Sequence, residues 1–103
     1  KPDFFIIAII LKGKLIGNLV AEKIDTEKKT LEIGFWIGKN YWGKGITTKA
    51  LKIFLKKIIK KFKSKKIIAH HKTNNPASGR VLEKAGFNFE SEKKGMKTYS
   101  KIC

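Results

Sequence analysis

The residues best suited to bind a phosphate group lie between an apolar run and a long amphipathic segment. Gly38, Gly43 and Gly45 follow the run that ends at Ile37, and the amphipathic segment begins near Ile46. Glycines let backbone amides approach an anion, and the positive end of a helix dipole stabilises it further. The sequence therefore predicts a strand, a glycine-bearing loop and a helix N-terminus that hold the pyrophosphate of a nucleotide-containing cofactor. On these residues alone, ATP or a dinucleotide would serve equally.

Few other side chains could bind a metal or take part in catalysis. Adjacent strand residues point to opposite faces, so His70 and His71 make a poor metal pair, and no metal site is expected. We expect His70 to be structural, although a histidine at a strand end can also act in a site because it titrates near neutrality. Cys103 is the only cysteine. It permits no intrachain disulfide or Cys-based metal site, and it fits a reducing compartment such as the cytoplasm.

Hydrophobic periodicity predicts the elements that position these residues. Strands are predicted over residues 4–11, 15–23, 30–37, 65–70, 87 onward and 96–103, and helices over 46–62 and 76–85. The first strand is predicted to be buried on both faces. The strand, helix, strand order around the first helix favours a parallel pair, whereas the short turns favour antiparallel hairpins. The layout predicts one α/β (α+β) domain over residues 1–103, with a mixed, mostly antiparallel sheet and flanking helices.

Local signals refine this plan. Alternation along residues 30–37 places Glu32, Gly34 and Trp36 on one face of the sheet. Gly17 inside a strand predicts a bulge or a close backbone approach. The second helix has an N-cap candidate in Asn75 and is followed by a glycine suited to the C′ position. We expect the side chains of Trp36 and Trp42 to be core and loop anchors.

The net charge of +16 comes from 24 basic and 8 acidic residues. A nucleic-acid partner would explain it, and so would the lysine bias of an AT-rich genome. Only Arg80 is an arginine, whereas phosphate and base recognition favours arginine forks. We therefore expect no nucleic-acid partner, although the lysines should attract anionic ligands. No apolar stretch is long enough to span a membrane, so no membrane partner is expected.

Three segments of the sequence stand out together: residues 40–45 (NYWGKG), residues 32–37 (EIGFWI) before them, and residues 75–87. They resemble, respectively, the acetyl-CoA loop, the strand before it and the second cofactor-contacting segment of the GNAT family of N-acetyltransferases. The match is strongest to the branch with ribosomal-protein alanine and spermidine acetyltransferases, and it covers essentially the whole chain. Two features depart from the pattern. Asn40 stands where glutamine or arginine is usual, and the strand and pair of helices that precede the first hairpin are missing. We therefore expect the domain to be truncated at its N-terminus and part of a longer protein.

The resemblance implies an enzyme that transfers the acetyl group of acetyl-CoA to a primary amine, by direct attack in a ternary complex. The acceptor is a protein N-terminus or a small amine, with no metal involved. The alternative is an acetyl-CoA-binding module or an incomplete enzyme without catalysis, and less favoured is a basic nucleic-acid-binding domain. A homodimer is left open.

The resemblance also implies the site residues. Backbone amides of the strand end would hold the pantetheine and polarise the thioester carbonyl, loop amides would hold the pyrophosphate, and two flanking lysines would add charge. Two strands, 30–37 and 65–70, would part to admit the pantetheine. The cofactor-binding residues implied are Trp36, Ile37, Lys39, Trp42, Gly43, Lys44, Gly45, Ile46, Thr47, Asn75 and Ser78.

Two catalytic residues follow from the same resemblance. Glu32 is the expected general base, acting directly or through water, although it could instead be a surface partner for a lysine. Ser78 is expected to hydrogen-bond the departing thiolate, although a serine is also ordinary in a first helical turn. The family's usual tyrosine acid corresponds to Leu82, which cannot donate a proton; Tyr41 and Tyr99 replace it by residue type only.

Overall fold

The computed structural model describes residues 4–103, so residues 1–3 of the predicted domain lie outside the described residues. All the predicted strands and helices are present, with ends shifted by one or two residues in places. The elements are β1 (Phe4–Leu11), β2 (Lys14–Asp25), β3 (Thr30–Ile37), a 3-10 turn (Lys39–Tyr41), α1 (Ile46–Phe62), β4 (Lys66–Lys72), α2 (Pro76–Lys84), β5 (Asn88–Lys93) and β6 (Met96–Ile102).

The six strands form one sheet in the order β1-β2-β3-β4-β6-β5. Only β3 and β4, which α1 connects, are parallel; the other neighbours are antiparallel. The predicted mixed, mostly antiparallel sheet is therefore confirmed. Among the described residues, neither helix is long and apolar enough to cross a membrane.

The parallel pair β3 and β4 is joined over only part of its length. Pairing runs from Thr30 opposite Lys66 to Ile33 opposite Ala69. Beyond that point β3 continues to Ile37 alongside β2 alone, and β4 continues to Lys72 alongside β6 alone. The two strands therefore part, as the resemblance implied, and their facing backbone groups have no strand partner there.

Both helices pack on one face of the sheet. The inward residues of the central strands form a single apolar cluster with the buried faces of α1 and α2. This cluster includes Leu19, Ala21, Leu31, Ile33, Leu51, Phe54, Leu55, Ile58, Ile67, Ala69, Leu82, Ala85, Phe87 and Tyr99. Burial of apolar area at about 25 cal/mol per Å² makes this layer the main source of stability.

Neither helix covers the opposite face, which we call the open face; it carries Phe4, Ile6, Glu32, Trp36 and His70. Phe4, Ile6 and Trp36 are 56%, 53% and 57% exposed. The prediction that the first strand is buried on both faces is therefore wrong. β1 is an edge strand, and only its alternate residues Phe5, Ile7 and Ile9 pack against the core. Trp36 is likewise not a core anchor.

Gly17 fulfils both alternatives of its prediction. The β1–β2 register shifts beside it, between Ile9 and Ile10, as a bulge does. Gly17 also lies opposite Ile37, and a Cβ at residue 17 would overlap the carbonyl oxygen of Trp36. No larger residue fits there unless the end of β3 moves.

Lysines occupy turn positions where glycine or asparagine is usual. Lys12 and Lys94 have φ of 51° and 49° and precede Gly13 and Gly95 in the hairpin turns, and Lys63 ends α1 with φ of 53°. Lys23 and Lys29 also have positive φ. L-residues are disfavoured in this left-handed region, so each position carries local strain.

The packing of α2 depends on a residue without a side chain. Gly79 is buried against two stacked rings, His71 and Tyr99, whose centroids lie 5.4 Å apart. A Cβ at residue 79 would lie 2.9 Å from the Tyr99 hydroxyl and 3.0 Å from Nε2 of His71. Burial raises the pKa of Tyr99, and the nearby Glu83 carboxylate raises it further.

We expect Gly79→Ala to lower the free energy of unfolding by about 1–3 kcal/mol, because the methyl group overpacks these rings. An exposed helical glycine would instead gain up to about 1 kcal/mol from the same change. Urea denaturation measures the difference. The control, Lys57→Ala on the exposed side of α1, should change stability by no more than about 0.5 kcal/mol; a more stable Gly79→Ala protein would contradict this packing.

Candidate functional site

The loop that follows β3, residues 38–45, is fixed at its beginning. The amide of Gly38 donates to the carbonyl of Ile16 at 2.8 Å, and the 3-10 turn closes with Tyr41 N donating to the Gly38 carbonyl at 2.9 Å. The indole N–H of Trp42 donates to the carbonyl of Ile37 at 3.0 Å. Trp42 is therefore the predicted loop anchor, although half of its surface is exposed.

The second half of this loop presents unpaired amides. Gly43 and Gly45 both have φ of 75°, which favours glycine. The first backbone hydrogen bond of α1 runs from Lys49 N to the Gly45 carbonyl at 3.1 Å, and in the described structure the amides of residues 43–48 have no backbone acceptor. Free amides at a helix N-terminus form an anion site, and a Cβ at Gly43 would meet nothing within 4 Å. The loop thus has both donors and space for a phosphate.

A cavity of about 120 Å³ joins this loop to the place where β3 and β4 part. Its walls are the end of β3, the start of α1 and the first turns of α2. Most of the predicted cofactor-binding residues meet here. The lining residues are Phe35, Trp36, Ile37, Trp42, Gly43, Thr47, Asn75, Ala77, Ser78 and Val81.

A second cavity, of about 340 Å³, adjoins the first and shares five lining residues with it: Trp42, Gly43, Thr47, Ala77 and Val81. It adds Gly45 from the loop, together with Arg80 and Lys84 from α2. Sequence reasoning did not assign the two cations to the site. The sequence did contain a signal for this placement. The spacing i, i+3, i+4, i+7 puts four residues on one helix face: Ala77, Arg80, Val81 and Lys84.

Three predicted cofactor-binding residues lie elsewhere. Lys39 is in the exposed 3-10 turn and lines neither of these cavities. Lys44 and Ile46 line a third cavity on the other side of the loop, together with Lys12 and Lys14 of the β1–β2 hairpin. The structure therefore does not bring these side chains to the shared wall of the first two cavities.

Asn75 and Ser78 open α2 beside the first cavity. Asn75 occupies the N-cap position, but its side chain makes no capping hydrogen bond, so the N-cap prediction holds for position only. Asn75 lines the cavity, as does half-buried Ser78. Leu82 is fully buried, and Tyr99 lies in the core beneath α2. Tyr41 lines the second cavity.

Glu32 lies on the open face, next to the last paired residues of β3 and β4, and lines none of these cavities. Its Oε1 atom is 3.3 Å from Nε2 of His70 and 3.7 Å from Nζ of Lys23. Glu22 stands directly opposite Glu32 on β2. Two carboxylates are therefore neighbours on this part of the open face.

A third carboxylate of the open face, Glu90, is engaged by its neighbours. The hydroxyl of Ser100 donates to Oε2 of Glu90, and Nζ of Lys66 lies 3.6 Å from the same oxygen. These two contacts hold the pKa of Glu90 below its usual value, with the Ser100 hydrogen bond contributing most. Glu90 is thus an anchor between β5 and β6 rather than a free carboxylate.

His70 and His71 point to opposite faces, as predicted. His70 is exposed on the open face, whereas His71 is buried with Nδ1 donating to the Lys72 carbonyl at 2.7 Å. Within residues 4–103, no group of three or more His, Cys, Asp or Glu side chains is placed to hold a metal ion. Partial burial raises the pKa of the terminal Cys103 thiol, although the nearby Lys101 opposes this.

Comparisons with known proteins agree with this geometry. The family model of the acetyltransferase (GNAT) domain matches residues 1–88. The ribosomal-protein-serine acetyltransferase of Escherichia coli (strain K12) is 28% identical over 82 residues, which are 80% of this chain and 46% of that protein. The putative ribosomal N-acetyltransferase YdaF of Bacillus subtilis (strain 168) is 28% identical over 79 residues, which are 77% of this chain and 43% of that protein. The chain thus spans less than half the length of these curated relatives.

Among solved structures, the microcin C7 self-immunity acetyltransferase MccE superposes with a TM-score of 0.84 at 28% identity. The match covers 98% of this chain and 62% of that one. That structure contains acetyl-CoA and AMP. Its likeness extends over the sheet, both helices and the loop between β3 and α1.

We expect Gly43→Glu to weaken the binding of acetyl-CoA, the cofactor that the family match suggests, by at least about 100-fold. The new carboxylate would fill the space beside the free amides and repel the phosphate. Each tenfold loss of affinity corresponds to about 1.4 kcal/mol of binding free energy. Isothermal titration calorimetry measures the affinity.

Gly95→Glu is the matched control. Gly95 also has a positive φ of 78°, and a Cβ there also meets nothing within 4 Å, but it lies in the β5–β6 turn. This variant carries the same strain and the same charge, and its affinity should stay within about threefold of the unaltered chain. Equal affinities for the two variants would show that the loop does not bind the cofactor.

Proposed function

Because the chain belongs to the acetyltransferase (GNAT) domain family, we propose that it transfers the acetyl group of acetyl-CoA to a primary amine. The observation that carries this proposal is the pair of adjoining cavities, which lead from the glycine loop and the two cations of α2 to the parted strands. An elongated anion with a reactive far end fits that arrangement. In this proposal the amine attacks the thioester directly while both substrates are bound.

The protein groups that bind the cofactor follow from the cavities. The free amides of residues 43–48 would receive the pyrophosphate, with Arg80 and Lys84 adding positive charge from α2. The narrower cavity between β3 and α2 would hold the pantetheine between Trp36 and Asn75. When bound, acetyl-CoA supplies the thioester electrophile, and the protein supplies orientation and polarity.

The parted strand end would polarise the thioester carbonyl. Backbone groups of residues 34–37 that face away from β2 have no partner on β4. Buried polar groups require partners, so amides here are suited to donate to a ligand. A donor fixed in place before the reaction stabilises the oxyanion at little reorganisation cost. The close approach of Gly17 on β2 to the backbone of Trp36 and Ile37 would hold this strand end in position from its other side.

Two side chains would assist the transfer, one as a base and one as a hydrogen-bond donor. Glu32, on the open face, would take a proton from the incoming ammonium, directly or through water, so that a neutral amine attacks. The new C–N bond forms as the C–S bond breaks, and the sulfur leaves as a thiolate. The Ser78 hydroxyl, at the wall of the first cavity, would hydrogen-bond that thiolate. The second proton of the amine would complete the thiol.

We take the acceptor to be a protein N-terminus. The two curated relatives named above are described as a ribosomal-protein-serine and a ribosomal N-acetyltransferase. The neighbouring carboxylates of Glu22 and Glu32 would attract a single ammonium group, whereas the lysine excess elsewhere would disfavour a polycation. A second candidate, cofactor binding without turnover, is favoured by one observation: neither helix covers the face that carries Glu32.

Calorimetry with acetyl-CoA, followed by a thiol-release assay, tests the proposal. We expect binding in the micromolar range, about −8 kcal/mol. In the assay we expect turnover with peptides that begin with a free serine or alanine, and none with the same peptides acetylated at the N-terminus. Binding without turnover on any amine would favour the second candidate. Failure to bind at millimolar acetyl-CoA would contradict both.

We expect Glu32→Gln to lower kcat for a serine-initiated peptide by about 100-fold at pH 7, the effect of losing a general base. Hydroxylamine is an informative second acceptor because it is largely neutral at this pH and needs no base. Its rate should change by less than about threefold in the same variant.

The matched control is Glu22→Gln, which removes the neighbouring carboxylate and leaves Glu32 in place. It should leave kcat for the peptide within about threefold and change only KM, because Glu22 attracts the acceptor and takes no proton from it. Equal losses on the peptide and on hydroxylamine in Glu32→Gln would assign Glu32 a structural role instead.

A further inference from the structure

Three side chains in contact, those of Glu32, His70 and Thr98, cross the open face where the backbone pairing of β3 and β4 stops. Glu32 on β3 contacts His70 on β4, with Oε1 and Nε2 3.3 Å apart. On the other side of the same ring, Nδ1 of His70 lies 2.9 Å from the hydroxyl oxygen of Thr98 on β6. Sequence reasoning treated His70 as structural, and no step of the proposed reaction uses it directly.

The position of His70 follows from the sheet register. Ala69 is the last residue of β4 that pairs with β3, and it lies opposite Ile33. His70 is the next residue, and it pairs with Thr98 of β6. Its side chain therefore lies at the start of the gap, on the same face as Glu32, and reaches across to it.

The chemistry of the three groups fixes the direction of the contacts. A carboxylate oxygen only accepts, so an attractive contact requires that Nε2 of His70 carry a proton. In the neutral ring, Nδ1 is then an acceptor, and the Thr98 hydroxyl can donate to it. Both contacts of His70, with Glu32 and with Thr98, can therefore form without a positive charge on the imidazole.

A second charged group near Glu32, the ammonium of Lys23, restricts its carboxylate less. Nζ of Lys23 is 3.7 Å from the same oxygen, and its side chain is 70% exposed, whereas that of Glu32 is 22% exposed. An exposed lysine on a flexible stem is a weak constraint, because its Coulomb energy is screened and its side-chain entropy is high. Glu22 opposite Glu32 would repel its carboxylate.

We infer that His70 is a positioning residue, which holds the Glu32 carboxylate at the mouth of the gap with Thr98 as its support. This inference rests on the proposed function, because the orientation of Glu32 affects a rate only if Glu32 takes the proton of the acceptor amine. A base must lie within hydrogen-bond reach of that proton, so a rotated carboxylate loses rate without loss of cofactor affinity.

Two variants of His70 separate its two contacts. His70→Gln places an amide nitrogen near the position of Nε2 and keeps a donor toward Glu32. His70→Asn places one near Nδ1 and keeps only the contact with Thr98. We expect His70→Asn to lower kcat for a serine-initiated peptide by about tenfold, with KM for acetyl-CoA unchanged, and His70→Gln to retain most of the activity.

A double-mutant cycle shows whether His70 acts through Glu32. In the Glu32→Gln background, His70→Asn should have little further effect, so that the two losses are strongly non-additive. Additive losses would overturn the inference. Equal losses of kcat in His70→Gln and His70→Asn would also overturn it, and so would a fall in thermal stability that matches the loss of rate. Either result would mean that His70 only stabilises the contact between the strands.

A readout without turnover comes from nuclear magnetic resonance. The ¹³C shift of the Glu32 carboxyl carbon at pH 7 should move in His70→Asn and stay near its original value in His70→Gln. An unchanged shift in His70→Asn would overturn the inference. Calorimetry with acetyl-CoA reports on the proposed function instead, so a failure of that function and a failure of this inference give different results.

Discussion

The constraint on which the rest of the structure depends is the loss of backbone pairing between β3 and β4 after Ile33 and Ala69. In the middle of a sheet such a gap leaves polar groups unpaired, and it persists only if each strand is held from its other side. Here β2 holds β3 as far as Ile37, and β6 holds β4 as far as Lys72. The first turn of α2 then closes the gap and makes it a cavity.

The features of the site that local chemistry dictates could be predicted from the sequence. Gly43 and Gly45 have the positive φ that only glycine adopts readily, and the first helix begins at Ile46 as its apolar spacing indicated. The alternation along β3 also placed Glu32 and Trp36 on one face correctly. Each of these features is encoded within a few residues, by a period or by one residue type.

Features that depend on register or on layers could not be predicted in this way. β1 has the apolar composition of a strand buried on both faces, but burial depends on what packs against each face, and its alternate residues are exposed. The contacts of His70 require the β4–β6 register, which no local pattern specifies. Arg80 and Lys84 had a readable helical period, but their place in the second cavity appears only when α2 lies beside the N-terminus of α1.

The strained lysines have a consequence for how this sequence can change. Lys12, Lys23, Lys29, Lys63 and Lys94 occupy left-handed backbone positions at about 1–2 kcal/mol each. None of the five lines the first two cavities. The fold therefore tolerates lysine even where the backbone opposes it, and the cost falls on positions outside the first two cavities. Replacement of Lys29, Lys63 and Lys94 by glycine or asparagine offers a route to a more robust protein that leaves all three cavities untouched, whereas Lys12 lines the third cavity and Lys23 contacts Glu32.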